Sequence, residues 1–340
     1  MEYFKERFVD ELNDEGAIEI AGNIWTRHDV LETMDPDAAK DLFQRWVDDT
    51  KLSAIERTRQ FLTHTDCIDR FKAMTHRLNA GNVIPFVGAG MSSASGFPLW
   101  APFLQALVQD APAVDVIVQG HIAQGEFEEA AQVVNDVRGS PILAEDIFNR
   151  FGSHRKDVRG PVQLLPEVFK AEVITTNFDY VLPHAYNAAK QNFTTTFCGP
   201  ELRTAPQRIG HDPHCLIRLH GQGDTDQGRI LTREEYDQTY RDGRTLSGVL
   251  SAIVGLRSIL FMGCSLELDR TISALRDIRQ AAQFDPPRHY AFLPLPDGQI
   301  REARRQFLSQ AEIHPIYYPA GDHDQCIEDM LITLMEGGLD

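Results

Sequence analysis

The sequence predicts a doubly wound α/β fold, in which helices pack on both faces of a parallel sheet. From residue 82 onward, short apolar runs alternate with longer helical patterns, and this alternation is typical of parallel βαβ units. Three of the runs are followed within three residues by glycine, asparagine or histidine. These runs are residues 83–87, 172–174 and 215–218. If they form neighbouring parallel strands, the residues after them meet at one crevice, where such sheets bind ligands.

Composition narrows the class of protein. The chain has 340 residues, 42% of them hydrophobic and 24% charged, which is ordinary for a globular protein. Its net charge of −17 disfavours direct binding to nucleic acid, because that affinity comes mostly from lysine and arginine. We expect no membrane span and no signal peptide, since no long apolar run is present. The five cysteines are scattered without a CxxC pair, which favours free thiols in a reducing cytoplasm.

The first part of the chain differs in pattern from the rest. We expect a helical N-terminal appendage over 1–78 and the main domain over 79–340. Apolar residues at helical spacing predict an amphipathic helix around residues 39–47 and a second one from Ser53 to about Leu78. The apolar faces of these helices pack either on the main domain or on another subunit, and we expect the former.

The main domain contains a long helical insertion, which we place at 97–170. Its helix signals include residues 126–137 and a proline, Pro141, that suits the first turn of a helix. An insertion of this length between two core strands is expected to cap the site. Further strands are predicted at 258–262, 289–293 and 313–317.

A glycine-rich turn follows the first predicted strand. Gly88, Ala89, Gly90 and Ser92 precede a helical stretch, so the backbone can approach a diphosphate at a helix N-terminus. The motif is not a full GxGxxG, because Ser93 occupies the sixth position. Tight strand-to-helix turns also use glycine for steric reasons alone, and the sequence leaves both explanations open.

Asn177 and Asp179 follow the second strand, after Thr176. An asparagine side chain donates and accepts hydrogen bonds without ionising, so Asn177 suits a ribose hydroxyl or a water molecule. Asp179 suits the role of holding the loop through backbone N–H groups. The alternative is an Asx turn that ends the strand and needs no ligand.

His220 follows the third strand and is a candidate general base, because the pKa of histidine lies near neutrality. Gly263, Cys264 and Ser265 repeat the pattern of a strand followed by glycine and are candidate nucleotide contacts. The last predicted strand ends in the same manner before His323, a further candidate contact.

A metal site is the alternative for residues 211–215 together with His220. The segment offers two histidines and a cysteine, but no second ligand pair at zinc-finger spacing accompanies it. A polar loop explains the segment better, and we expect no metal.

As a set, these motifs resemble the sirtuin superfamily. Gly88–Ser92 resembles its nucleotide loop, Thr176–Asp179 its Gln-Asn-Ile-Asp string, His220–Gly221 its catalytic His-Gly, and Gly263–Leu266 its Gly-Thr-Ser-Leu turn. The resemblance runs from about residue 82 to 334. It implies a Rossmann-like domain that binds NAD, with Asn177 at the nicotinamide ribose and His220 as the base.

The sequence also departs from the deacetylating sirtuins. It lacks the four cysteines of their zinc ribbon, and Leu99–Ala101 replaces their Asp-Phe-Arg. Residues 175–179, 230–236 and 261–266 resemble instead the sirtuin-like proteins of bacterial antiviral defence. That resemblance implies an NAD hydrolase that acts by abortive infection as a homo-oligomer, with a HerA-type ATPase or an Argonaute-like partner. Two alternatives stay open, an NAD-dependent deacylase or ADP-ribosyltransferase and a non-catalytic sensor of NAD or ADP-ribose.

Overall fold

The computed structural model describes residues 2–208, 214–240, 246–267, 270–282 and 286–339. The strands are β1 (Ile18–Ile20), β2 (Asn23–Trp25), β3 (Val83–Val87), β4 (Val173–Thr175), β5 (Thr195–Cys198), β6 (Cys215–Arg218), β7 (Ser258–Met262), β8 (His289–Pro294) and β9 (Ile313–Tyr318). The helices are α1 (Glu2–Asp14), α2 (Arg27–Met34), α3 (Pro36–His64), α4 (Ile68–Asn79), α5 (Trp100–Ala106), α6 (Pro112–Ala123), α7 (Phe127–Arg138), α8 (Ser140–Phe151), α9 (Leu165–Val168), α10 (Val181–Ala188), α11 (Ala205–Arg208), α12 (Arg233–Thr239), α13 (Leu246–Val254), α14 (Arg270–Ala281), α15 (Gly298–Ser309) and α16 (His323–Met335). Short 3₁₀ helices cover Ala89–Ser92, Pro161–Leu164 and Gly199–Arg203. None of the helices within these ranges is long and apolar enough to cross a membrane.

Seven strands form one parallel sheet in the order β5-β6-β4-β3-β7-β8-β9. The chain adds β4, β5 and β6 on one side of β3 and then β7, β8 and β9 on the other. Because parallel crossovers are right-handed, this reversal sends the connecting helices of the two halves to opposite faces. The predicted Rossmann-like α/β fold is therefore confirmed.

The six predicted strands are present, with β4 displaced by one residue toward the carboxyl end. The sequence analysis missed the edge strand β5 and the small antiparallel hairpin of β1 and β2. Both are short. The hairpin residues are largely exposed, so they carry little of the apolar signal by which strands are recognised.

A proline in the central strand β3 is compatible with its position. Gly88 N–H donates to Met262 O of β7 at 2.9 Å, so alternation along the strand directs the nitrogen of Pro85 toward β4. The ladder between β3 and β4 begins only at Phe86, which pairs with Ile174. The missing N–H of Pro85 therefore interrupts no ladder hydrogen bond.

The N-terminal helices differ from the prediction at one point. A single helix, α3, runs through residues 36–64, where the sequence analysis placed the beginning of a separate helix at Ser53. No glycine or proline interrupts this stretch after Pro36, so the helix continues. The break falls at residues 65–67 instead, where Asp66 has a φ of 55° and the buried Thr65 hydroxyl donates to Tyr317 O at 2.9 Å.

The long helix α3 packs on α16 of the same chain. Its buried residues recur at helical spacing and form one face. Beside this face, the more exposed Arg57 donates to both carboxylate oxygens of Asp329, at 2.8 and 2.7 Å. From α1, Tyr3 and Arg7 both bond to Glu328. These contacts attach the N-terminal helices to α16, the helix that follows β9.

Candidate active site

Four loops meet at the carboxyl edge of the sheet, and hydrogen bonds join each to the next. The predicted neighbours are confirmed, because β6, β4 and β3 are adjacent in that order. Gly223 N–H after β6 donates to Phe178 O after β4 at 2.9 Å. On the other side of β3, Gly90 N–H donates to Gly263 O after β7, also at 2.9 Å. The sheet thus brings the motifs after these four strands into one region.

Asn177 joins the β4 loop to the β3 loop. Its side-chain nitrogen donates to Gly88 O at 3.1 Å and to the Ser92 hydroxyl at 3.2 Å, and its backbone N–H donates to the Thr175 hydroxyl at 3.0 Å. The residue is 3% exposed, and nothing in the described part of the chain hydrogen-bonds its buried Oδ1. A buried oxygen without a donor is costly, so this atom is suited to a donor on a bound ligand.

Arg218, the last residue of β6, holds the backbone of the same loop. Its guanidinium donates to the carbonyls of Asn177, Phe178 and Asp179 at 3.2, 3.4 and 2.9 Å. It also lies 4.7 Å from the centre of the Tyr180 ring, and it is 1% exposed. The sequence analysis missed this residue. The available signal was a charged side chain at the end of an otherwise apolar strand.

The Asp179 carboxylate caps the beginning of α10. It accepts a hydrogen bond from Val181 N–H at 3.0 Å, which is the Asx turn that the sequence left open, and another from the Ser92 hydroxyl. Burial raises the pKa of Asp179, and these hydrogen bonds together with Arg218 partly offset that effect. Asp179 therefore shapes the loop, and a direct catalytic role for it stays a prediction.

His220 leaves the sheet beside Asn177. Thr175 pairs with Arg218, so Asn177 and His220 each lie two residues beyond the same pair on adjacent strands. The His220 Nε2 lies 2.6 Å from the Tyr236 hydroxyl. Burial lowers the pKa of His220 to about 4, so the imidazole is neutral near pH 7 and able to accept a proton.

The first turn of α12 positions Tyr236. Neither this helix nor Tyr236 was predicted from the sequence as part of the site. Thr232 and Glu235 form a reciprocal capping box at this end of the helix. Glu235 additionally binds the Arg229 guanidinium at 2.8 and 3.1 Å, and the Arg229 side chain is 3% exposed. The paired charges thus fix the segment that carries Tyr236 against His220.

The glycine-rich turn packs directly on the turn after β7. A Cβ on Gly88 would lie 2.6 Å from the Cys264 Sγ, and one on Gly90 would lie 2.9 Å from Gly263 Cα. Both glycine N–H groups are used, since Gly88 donates to Met262 O and Gly90 to Gly263 O, each at 2.9 Å. Steric need therefore explains these glycines, and their contact with a nucleotide stays a prediction.

The helical insertion reaches the site through Phe178. This residue lies between the two polar residues of the loop and is 1% exposed. Its ring packs edge-on against Trp100 at 4.9 Å and Phe151 at 6.3 Å, and these two belong to α5 and α8. From α7, the Gln132 side chain accepts from Glu234 N–H at 3.1 Å in α12. The insertion thus contacts both the Asn177 loop and the helix of Tyr236.

The remaining predicted residues lie in different places. Thr176 is partly exposed beside Asn177, and Ala89 lies in the 3₁₀ helix after β3. Ser265 is exposed after β7, and its carbonyl accepts a hydrogen bond from Arg304. His323 begins α16 after the edge strand β9, three strands away from β3, and its Nδ1 lies 3.2 Å from the Tyr318 hydroxyl. The fold does not bring His323 to the loops of Asn177 and His220.

The metal alternative receives no support from the geometry. His214 lies at the amino end of β6 and packs on Phe193 and Tyr186 at 5.0 and 5.5 Å, whereas His220 lies beyond the carboxyl end. His211 lies outside the described residues. Within the described part of the chain, no three histidine, cysteine or acidic side chains are placed to hold a metal ion.

Comparison with known proteins shows what part of the chain is similar to. Residues 171–316 match the model of a SIR2-like domain. The matched range includes Asn177, Arg218, His220, Tyr236 and Gly263. The glycine-rich turn after β3 lies before it.

Several curated relatives are similar at low identity. The NAD(+) hydrolase ThsA of Enterococcus faecium is 22% identical over 224 residues, which are 65% of this chain and 45% of that protein. The NAD(+) hydrolase ThsA of Bacillus cereus is 21% identical over 236 residues, 69% of this chain and 48% of that protein. Defense-associated sirtuin 2 of Bacillus subtilis is 22% identical over 205 residues, 58% of this chain and 19% of that protein. The chain therefore spans less than half the length of these relatives.

Proposed function

We propose that this chain, through its SIR2-like domain, hydrolyses NAD to ADP-ribose and nicotinamide and acts as an NAD-depleting effector of anti-phage defence. The names of the relatives support this proposal, because two of them are NAD hydrolases and one is a defence-associated sirtuin. The arrangement of the site supports it independently. A neutral histidine and a buried amide oxygen leave adjacent strands at the carboxyl edge of the sheet.

The single observation that carries the proposal is the unpartnered Oδ1 of Asn177. The Asn177 amide nitrogen is already used by Gly88 O and the Ser92 hydroxyl, so the side chain cannot rotate without losing two hydrogen bonds. Its oxygen is thereby fixed as an acceptor for a hydroxyl or a water molecule. A ribose hydroxyl of NAD, or the attacking water, supplies the donor that this oxygen lacks.

The proposed reaction needs only NAD, water and the residues of the candidate site. The bond between the ribose C1′ and the nicotinamide nitrogen breaks, and its electron pair stays on nicotinamide. The oxygen of water then bonds to C1′, and His220 accepts the proton that water releases. No side chain acts as a nucleophile. The residues contribute by fixing the reactants and by stabilising charge at C1′.

We also propose the setting of this activity. The protein acts in the cytoplasm as a homo-oligomer, and a HerA-type ATPase or an Argonaute-like partner controls it. No disulfide joins the described cysteines, which suits a reducing compartment. An NADase that depletes its own cell needs control, so we expect activity to cause abortive infection only after a trigger. The net charge of −17 favours sensing of nucleic acid through the partner.

The test is incubation of the purified protein with NAD and separation of the products by chromatography. The assay is run on the protein alone and again with the protein encoded next to it, because a partner is proposed to control the activity. We expect nicotinamide and ADP-ribose from the native protein, and a loss of at least about 100-fold in H220A and N177A. His121→Ala is the matched control, because His121 is a partly exposed histidine of α6 paired with Glu126. Full activity in either site variant would refute the assignment. Nicotinamide release that requires an acetylated peptide would show a deacylase instead.

A further inference from the structure

A hydrogen bond joins the buried Tyr236 of α12 to His220 after β6. The Tyr236 ring is 3% exposed, and its hydroxyl lies 2.6 Å from the His220 Nε2 with the two rings edge to face. Among the described residues, no group hydrogen-bonds the Nδ1 of His220. One ring nitrogen is thus committed to the protein and the other is left for a ligand.

Tyr236 is held from several sides, so its hydroxyl has a fixed place. The Arg270 guanidinium lies 4.4 Å from the centre of the Tyr236 ring and is itself bonded to Glu128 of α7. On the same helix, Glu234 N–H bonds to Gln132 and Arg233 pairs with Glu129, which ties α12 to α7. These contacts argue for a permanent partner of His220 rather than a side chain that leaves.

We propose that Tyr236 is a positioning residue for His220, whose hydroxyl accepts a hydrogen bond from Nε2–H and so leaves Nδ1 as the nitrogen that accepts a proton from the substrate. Because the imidazole is neutral near pH 7, only one nitrogen carries a hydrogen. With that hydrogen on Nε2, the Tyr236 hydroxyl accepts it and Nδ1 is able to accept a proton. The same hydrogen bond persists when Nδ1 gains its proton, so Tyr236 also stabilises the imidazolium. The catalytic part of this inference rests on the proposed function, whereas the choice of tautomer does not.

The test compares Tyr236→Phe with Tyr240→Phe. Tyr240 lies one turn further along, its ring 5.6 Å from that of Tyr236, and its hydroxyl is buried without a hydrogen-bond partner. Both variants remove one phenolic oxygen from the same segment, but only Y236F removes the partner of His220. We expect Y240F to resemble the native protein in every measurement.

Two readouts decide the question. Long-range proton–nitrogen NMR of protein labelled at the histidine nitrogens, with H220A to assign the signal, should show Nε2–H at His220 and a mixture of tautomers in Y236F. In the NAD assay, Y236F should lower kcat by at least about ten-fold with little change in KM. The NMR experiment needs no NAD, so it decides the tautomer even if the protein proves not to cleave NAD.

Three results would overturn the inference. One is a native His220 with its proton on Nδ1. Another is a Y236F protein whose His220 spectrum and kcat equal those of Y240F. The third is a Y236F protein that cleaves NAD faster than the native one, which would mean that the hydroxyl competes with substrate for His220.

Discussion

Replacing Arg218 with lysine tests whether one buried guanidinium holds the loop of the candidate site. Lysine keeps the positive charge but has a single nitrogen in place of the planar fork. In the native protein the Arg218 guanidinium donates hydrogen bonds to three consecutive carbonyls, at 3.2, 3.4 and 2.9 Å. An ammonium group at the same place reaches one of them well, so about two hydrogen bonds are lost.

The magnitude follows from the burial of these groups. A hydrogen bond from a charged donor contributes about 1.5–3 kcal/mol, and Arg218 is only 1% exposed, so water cannot replace the lost partners. We therefore expect R218K to lower the free energy of unfolding by about 3–6 kcal/mol. The loop that carries Asn177 should also shift, and a displacement of about 1 Å at such a site costs about 100-fold in rate.

The matched control is Arg257→Lys. Arg257 also donates to a backbone carbonyl, Ile253 O at 2.8 Å, and pairs with Glu172 at 2.9 Å, but its side chain is 26% exposed. Water can compensate there, so we expect a loss of about 1 kcal/mol or less. Urea unfolding of both variants measures the difference, and the NAD assay is run on the folded protein. Equal losses of stability in R218K and R257K would refute the reasoning.

Three further outcomes are expected. Gly263→Ala should destabilise the protein more than Gly255→Ala. Both residues have a positive φ (67° and 58°), but only a Cβ on residue 263 would lie 2.5 Å from a backbone atom, Met91 N. Equal melting temperatures of the two variants would contradict this expectation. Burial raises the pKa of Asp179, so the stability that its protonated form contributes is lost as pH rises through that pKa. Urea unfolding should therefore show D179N gaining in stability relative to the native protein as the pH rises above about 4, the ordinary pKa of aspartate. Burial lowers the pKa of His220 to about 4, so kcat/KM for NAD should stay level as the pH falls below neutrality and should drop only near pH 4. A drop near pH 6.5 would instead show a histidine in an ordinary environment.

Much of the fold could be predicted because its signals are local. Each core strand is a short apolar run, and each is followed within two residues by a turn former or a polar side chain, so both the sheet and its functional edge are visible in sequence. Asn177 and His220 were found on this basis, and the sheet brings them to adjacent strands as expected. The helix break at residues 65–67 was missed, because it depends on a hydroxyl contact with Tyr317, 252 residues away.

The sequence by itself predicted the parallel sheet and placed Asn177 and His220 after two of its strands. Only the tertiary structure decided what holds them in place. Arg218 donates hydrogen bonds to carbonyls about 40 residues earlier in the chain, and Tyr236 bonds to His220, which precedes it by 16 residues. Gly90 and Gly263 need their small size because of each other. Hydrophobic periodicity records burial but not the partner of a polar group, and that partner is set by distances in space between segments remote in sequence.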